Sequence, residues 1–132
     1  MVHTLEVKTT KSTELIDITA AIQELLSKHG PLDGVCYVYV PHTTAGVTIN
    51  ENADPSVKGD ILLVLNKLIR DDEPYRHGEG NSPAHIKASL TGAAATVLVD
   101  SGRLVLGTWQ GVFFCEYDGP RRRQVKVNFL KG

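Results

Sequence analysis

The chain has 132 residues, and 42% of them are hydrophobic, which is enough apolar material for one domain, spanning residues 1–132, with a single core. The formal net charge is −1, from 14 basic and 15 acidic residues, so the charge balance does not favour nucleic acid or an anionic membrane as a partner. No apolar run approaches the roughly 20 residues that span a bilayer, and we expect a cytoplasmic protein with no membrane partner.

The first forty residues show a strand pattern, a helix pattern and a second strand pattern. Residues 3–8 alternate apolar and polar side chains, as a half-buried strand does. Apolar residues at helical spacing then predict a helix, and these are Leu15, Ile18, Ile22, Leu25 and Leu26. Asp17 or Thr19 is its predicted N-cap, and Gly30 is predicted to end it. Residues 34–40 are apolar on both faces, so we predict a central strand that is covered on both sides.

A second helix has the clearest pattern in the chain. Asp54 is its predicted N-cap and Pro55 occupies its first position. One apolar stripe is predicted to run along it, formed by Val57, Ile61, Val64, Leu65 and Leu68. Residues 71–83 contain two prolines, two glycines and many polar groups, and they predict a loop.

The remaining residues predict a short helix and then a run of strands. The helix extends from Ser82 to about Thr91 and ends at Gly92. Strands follow at AATVLV, RLVLG, QGVFFCEY and RQVKVNF, and Ser101-Gly102 predicts a hairpin turn between the first two. This order of elements indicates an α+β fold in which helices pack on a largely antiparallel sheet. The two cysteines lie inside the apolar runs and are expected to be buried, reduced thiols.

The segment PHTTAGVTINENADP combines a polar face with an apolar one. If it is extended, its polar side chains share one face, and these are His42, Thr44, Thr48 and Asn50. A functional site and a solvated sheet face explain this pattern equally well. Nearby carboxylates favour a site, and these are Glu51, Asp54 and Asp60, although a helix cap is the simpler role for Asp54.

Three histidines are candidate nitrogen ligands for a metal ion. His77 lies in the polar loop, and His85 lies in the short helix with Ser89 on the same face. With His42 they would provide three imidazoles and leave one coordination position open, an arrangement that suits zinc and lets the metal activate water or polarise a substrate. Neither an HExxH motif nor a paired CxxC motif is present, so the spacing alone does not identify a metal site.

Other chemistry is only weakly indicated. No nucleophile elbow or complete phosphate-binding loop occurs, although the glycines of HGEGN could cradle a small anion. Arg121, Arg122 and Arg123 form the only basic cluster, which fits phosphate, RNA, carboxylates of another subunit or a solvated turn. Glu116 shares one face of its strand with Gln110, so it is a candidate to reach a site.

Four segments in one order, PHTTAGVTINENADP, PYRHGEGN, PAHIKASLTG and LGTWQGVFFCEYDGPR, resemble the YjbQ-like family, which is linked to secondary thiamine phosphate synthase activity. The likeness covers nearly the whole chain. It implies a compact α+β subunit, assembly into a homotrimer, a polar cleft near the subunit boundary and a divalent metal held by histidines. By this resemblance the metal ligands are His42, His77 and His85.

The same resemblance implies further residues at the cleft, to which the polar face adds Thr44 and the basic cluster adds Arg121. Candidate catalytic groups are Glu51, Asp60, Ser89 and Glu116. Candidate substrate-binding groups are Thr44, Asn50, Asn81, Trp109, Gln110 and Arg121. The leading hypothesis is a metal-assisted enzyme for a small phosphorylated or anionic substrate, and the alternative is a non-catalytic trimeric module that binds a small anion. RNA binding through the arginine cluster is disfavoured, because the chain is near neutral and has no aromatic platforms interleaved with basic residues.

Overall fold

Eight strands and three helices make up the computed structural model, which describes all of residues 1–132. In chain order the elements are β1 Val2–Lys8, β2 Glu14–Asp17, α1 Thr19–His29, β3 Gly34–Tyr39, β4 Ala45–Glu51, α2 Pro55–Leu68, α3 Ser82–Thr91, β5 Ala94–Asp100, β6 Arg103–Leu104, β7 Gln110–Glu116 and β8 Arg122–Lys131. None of the helices has both the length and the apolar composition that crossing a membrane requires.

The strands form two antiparallel sheets. The larger sheet has the order β1-β8-β3-β5-β6, and the smaller has the order β2-β7-β4. Every strand pair in both sheets is antiparallel, which confirms the predicted α+β fold and the central position of β3. Strand β7 is the middle strand of the smaller sheet, so both of its edges are hydrogen-bonded.

The smaller sheet is buried on both faces. Toward the larger sheet, Phe114 packs with Val38 and with Ile22 of α1 in the main apolar core. On its opposite face, Phe113 and Cys115 pack beneath α2 and α3 in a second apolar cluster. The successive residues of β7 therefore supply two different cores, as expected from the alternation of side chains along a strand.

The first helix begins later than its apolar spacing predicts. Leu15 and Ile16 belong to β2, which pairs with β7, and the helix starts at Thr19. Pairing with a buried strand and burial of Leu15 in the second cluster outweigh the helical spacing of these residues. The N-cap is Ile18, which makes no side-chain cap bond, so neither Asp17 nor Thr19 holds the predicted cap position. Asp17 instead accepts hydrogen bonds from the backbone N–H and the hydroxyl of Thr19, at 2.9 and 2.5 Å.

Helix α2 confirms the predicted start and cap, but only part of its predicted stripe is covered. Asp54 accepts a hydrogen bond from the backbone N–H of Ser56 at 2.9 Å. Ile61 and Leu65 are half-buried against the smaller sheet, whereas Val64 and Leu68 are exposed. The stripe is wider than the surface on which the helix lies.

Strand β3 is covered on one side only, contrary to the prediction. Cys36 and Val38 face the core and are fully buried. Tyr37 and Tyr39 face outward and remain about half exposed, because no layer of this chain lies over that face of the larger sheet. The apolar composition of residues 34–40 thus marks a face that the chain itself leaves uncovered.

The C-terminal strands follow the predicted order with one shortening. Ser101 and Gly102 both have positive φ angles, 53° and 77°, and form the predicted hairpin turn. Strand β6 contains only Arg103–Leu104 instead of the full RLVLG segment. Cys36 and Cys115 are buried and unpaired as predicted, and burial raises the pKa of their thiols to about 11 and about 12.

Candidate functional site

The predicted site residues on the smaller sheet separate into two groups at opposite ends of β7. Gln110 begins this strand and pairs with Glu51, whereas Glu116 ends it and pairs with Ala45. Six residue steps of about 3.3 Å place these ends roughly 20 Å apart. One chain therefore does not bring all the predicted groups to a single point.

The group at the start of β7 is largely exposed. Trp109 is 63% exposed, and its carbonyl accepts the backbone N–H of Asn52 at 2.9 Å. The side-chain carbonyl of Gln110 accepts the N–H of Gly107 at 2.8 Å. Asn50 is exposed and Glu51 is half-buried at the end of β4. The hydrogen bonds hold a turn together, and the polar side chains form one end of the smaller sheet.

Two further candidates lie on helices away from both groups of strand residues. Asp60 is exposed on α2. Ser89 is exposed on α3, and its hydroxyl donates to the backbone carbonyl of His85 at 3.0 Å. Neither side chain lines the polar pocket described below. Their predicted catalytic roles remain predictions.

A buried ion pair lies at the other end of β7. The Arg123 guanidinium donates to both carboxylate oxygens of Glu116, with Nε 2.8 Å from Oε1. It also donates to the hydroxyl of Thr44 at 2.9 Å, and Thr9 donates to Glu116 at 2.8 Å. The four side chains are at most 5% exposed, so this network joins the two sheets inside the protein. Arg123 is therefore a buried group and not part of a solvated arginine turn.

His42 lies beside this network. Its Nε2 accepts the backbone N–H of Gln124 at 2.9 Å, so in this position the Nε2 lone pair is occupied. Burial lowers the pKa of His42, and the positive charge of Arg123 lowers it further. The imidazole is accordingly neutral at pH 7 and carries its proton on Nδ1, as inferred from the hydrogen bond.

Next to the ion pair, a chain of polar contacts runs from Arg121 to Asn81. Arg121 is exposed and its guanidinium lies 2.9 Å from the carboxylate of Asp118. The same Asp118 oxygen accepts the side-chain amide N–H of Asn81 at 2.9 Å. Arg121 thus orients the carboxylate of Asp118, and Asp118 in turn orients the side-chain amide of Asn81. Arg121 itself does not line the pocket described next, whereas Asp118 and Asn81 do.

Asn81 and Asp118 line a polar pocket of about 440 Å³ between the start of α3, the end of α2 and the β7–β8 turn. Lys87 also lines it, although its side chain is only 5% exposed. The ammonium donates to the amide oxygen of Asn66 at 2.6 Å and belongs to none of the four ion pairs of the chain. Burial lowers the pKa of Lys87, and the carboxylate of Asp71 opposes that effect.

His77 and His85 are the two predicted metal ligands that come together. Their rings are perpendicular, with centroids 5.2 Å apart. Two imidazoles bound to one tetrahedral ion through nitrogens at about 2.0–2.1 Å would have centroids about 5 Å apart, so the spacing fits a shared ion. No group of three His, Cys, Asp or Glu side chains in the chain is arranged to hold a metal. The pair alone is two ligands short of a structural zinc site and one short of a catalytic site.

Lys87 was not singled out from the sequence, and Arg123 was named only as a member of the basic cluster and not as a buried residue. Lys87 is one helical turn after Pro83 and lies beside Ala84 and Ala88 on the buried face of α3. The spacing of these small residues could have shown that Lys87 points inward. For Arg123 the signal was the alternation of β8, because it shares a face with Val125 and Val127.

The comparisons with known proteins agree with the fold. The family model described as UPF0047 protein YjbQ-like matches residues 3–132. The UPF0047 protein YugU of Bacillus subtilis is 50% identical over 131 residues, which cover 98% of this chain and 99% of that protein. A UPF0047 protein of Methanocaldococcus jannaschii is 52% identical over 130 residues, which cover 98% of this chain and 94% of that protein.

Solved structures give the same result. A YjbQ/UPF0047 family protein from Clostridium acetobutylicum superimposes with a TM-score of 0.95 at 48% identity, covering 97% of this chain and 99% of that one. A YjbQ-like protein from Sulfolobus solfataricus does so with a TM-score of 0.94 at 32% identity, covering 100% of this chain and 97% of that one. The shared sequence, fold and coverage show that this chain belongs to the YjbQ-like UPF0047 family.

Proposed function

We propose that this protein is an enzyme that acts on a small phosphorylated or otherwise anionic substrate bound in the pocket of Lys87. The observation that carries the proposal is a buried lysine at the wall of a polar pocket, whose ammonium has no carboxylate within ion-pair distance and whose nearest charged influence is Asp71 on the same pocket wall. Burying an unpaired charge is costly, so a protein rarely keeps one without a use for it. An anionic ligand would provide the missing partner.

The surroundings of Lys87 suit an anion at one side of the pocket. Its bond to Asn66 uses one of the three ammonium protons and leaves two for a ligand. The pocket also includes the start of α3, where the helix dipole favours negative charge. Stabilising a departing phosphate or pyrophosphate requires a cation placed in this way.

We expect Lys87→Met to bind inorganic phosphate about 10- to 100-fold more weakly than the wild type, because a hydrogen bond to a charged group contributes about 1.5–3 kcal/mol. Isothermal titration calorimetry measures the affinity. The matched control is Lys67→Met, which removes an exposed lysine in the last turn of α2 and should bind phosphate like the wild type. Equal losses in both variants would mean that phosphate responds only to net charge, and the proposal would fail.

Turnover separates the enzyme from the non-catalytic anion-binding module, which uses the same pocket. We propose weak thiamine phosphate synthase activity as a secondary reaction, in which a pyrimidine pyrophosphate joins a thiazole phosphate and pyrophosphate departs. Lys87 would stabilise the departing group. Product formation by the wild type, lost in folded Lys87→Met, would support the enzyme. Phosphate binding without any turnover would favour the module.

A divalent metal, with zinc as the first candidate, is proposed at His77 and His85. The centroid distance of 5.2 Å supports this pair as ligands. His42 could complete the set only by giving up its bond to Gln124, or the remaining ligand would come from a second subunit. A bound metal would supply Lewis-acid polarisation of a phosphoryl oxygen. The Lys87 proposal does not depend on it.

Elemental analysis of purified variants tests the metal proposal. We expect stoichiometric zinc in the wild type and its loss in both His77→Ala and His85→Ala, because each removes one of few ligands. His29→Ala, which removes an exposed histidine in the last turn of α1, is the matched control and should retain zinc. His42→Ala decides whether that residue joins the site. Zinc that persists in the His77 and His85 variants would rule out this ligand pair.

We further propose that the protein is a cytoplasmic homotrimer. The uncovered apolar face of the larger sheet supports association with other copies of the chain, since a soluble protein seldom exposes such a face without a partner. Two buried, unpaired thiols suit a reducing compartment. A trimer would also allow residues from two chains to meet at one cleft.

A further inference from the structure

An apolar cavity of about 230 Å³ lies beside the polar pocket of Lys87, in the same gap between α2 and α3. Ile61 and Leu65 of α2 and Leu90 of α3 line its walls, and Cys115 of β7 lies beneath them. Ile61 and Leu65 are half-buried and Leu90 is 64% exposed, so these walls are accessible from solvent. We call this cavity the apolar slot.

The apolar slot and the Lys87 pocket adjoin each other along both helices. Tyr117 lines both cavities, and its hydroxyl lies 2.5 Å from that of Thr91 in the slot. Lys87 and Thr91 are four residues apart on α3, which places them on one face of the helix with about 5–6 Å between their Cβ atoms. On α2, Asn66, which accepts the Lys87 ammonium, directly follows Leu65 of the slot. A group attached to an anion at Lys87 would therefore enter the slot after about one helical turn.

The lining of the apolar slot indicates which kind of group it holds. No charged side chain lines the slot, and its polar residues Thr48, Asn50 and Thr91 are neutral. An apolar cavity of about 150 Å³ is sufficient for a benzene ring, so the slot has room for one ring or a short branched chain. A stable protein interface buries more than about 1,000 Å², which a slot of this size does not provide. Its occupant is therefore a small apolar group.

We infer that the ligand of this protein carries an apolar or aromatic group beside its phosphate or other anionic group, and that this group occupies the apolar slot while the anion binds Lys87. This inference rests on the proposed function and adds the second part of the ligand. Burying apolar surface in the slot would add affinity that the anion site alone does not provide. Leu90 would contact the ligand directly.

The test compares methyl phosphate with benzyl phosphate by isothermal titration calorimetry. We expect the wild type to bind benzyl phosphate at least about tenfold more tightly, because the ring leaves water when it enters the slot. Leu90→Asn should lose most of this preference and bind methyl phosphate like the wild type, since asparagine makes one wall of the slot polar.

Leu63→Asn is the matched control. Leu63 is an exposed leucine of α2 that does not line the slot, so this variant should keep the full preference for benzyl phosphate. Circular dichroism checks the fold of both variants. Leu90→Ala is a second variant that keeps a good helix-forming residue at this position in α3, and it should also lose preference.

The outcomes distinguish this inference from the proposed function. If Lys87→Met weakens both esters but the wild type shows no preference between them, the anion site stands and the inference about the slot is overturned. A preference that persists in both Leu90 variants also overturns it, because the ring would then lie elsewhere. If Lys87→Met leaves both affinities unchanged, both proposals fail.

Discussion

Arg123→Met should lower the free energy of unfolding by about 3–5 kcal/mol, because it leaves the fully buried carboxylate of Glu116 without its cation. Methionine keeps much of the apolar volume, so the loss would come mainly from the unpaired charge. The network of Arg123 and Glu116 also includes Thr9 and Thr44, and it joins strands from both sheets. Chemical denaturation followed by circular dichroism measures the change.

Arg122→Met is the matched control. Arg122 is exposed beside Arg123, so its replacement should change the free energy of unfolding by no more than about 0.5 kcal/mol. The double variant Arg123→Met with Glu116→Leu should recover most of the loss, because it removes both charges together. A single Arg123→Met variant as stable as the control would show that the pair is not what joins the sheets.

Acid provides an independent check on this ion pair. Burial alone would raise the pKa of Glu116, but hydrogen bonds from Arg123, from the backbone of Asp118 and from Thr9 outweigh it, so the pKa lies below the usual 4.5. A carboxyl whose folded pKa is depressed stabilises the protein above its unfolded pKa, and this contribution is lost as the pH falls through the folded value. The advantage of the wild type over the double variant should therefore shrink below about pH 4.5.

Local patterns identified most of the elements but not the short strand β2 or its pairing. Asp54 and Pro55 marked the start of α2 correctly, because cap and first-turn chemistry depends only on neighbouring residues. Leu15 was assigned to a helix because its spacing from Ile18 and Ile22 is helical. Its real environment is a strand that pairs with residues a hundred positions later, and such long-range pairing leaves little trace in a local pattern.

The candidate site was only partly predictable for a similar reason. The polar loop and the short helix drew attention to Asn81, His77 and His85, and the structure places these residues near the start of α3. Lys87 was missed because a lysine is normally solvated, and only the small residues around it show that it points inward. The separation of Glu51 and Gln110 from Glu116 depends on the length of β7 and on its register with β4.

The uncovered face of the larger sheet has a defined apolar centre. Val35 on β3 lies between Leu98 on β5 and Leu130 on β8 in the sheet register. Tyr37 and Tyr39 extend this surface along β3, and both are about half exposed. These apolar side chains lie next to one another on three adjacent strands, and a contiguous exposed apolar patch of this kind favours an interface.

Leu98→Lys should convert the proposed homotrimer to single chains, because three lysines would be brought into an apolar interface without partners. Light scattering after size-exclusion chromatography measures the mass. Leu68→Lys is the matched control, since Leu68 is a similarly exposed leucine on the outer side of α2, and this variant should keep the mass of the trimer. If Leu68→Lys dissociates the trimer and Leu98→Lys does not, the interface lies at α2 and not on the larger sheet. A wild type that is already a single chain would contradict the trimer itself. The polar groups at the two ends of β7 would then lie roughly 20 Å apart in one molecule and could not form one site.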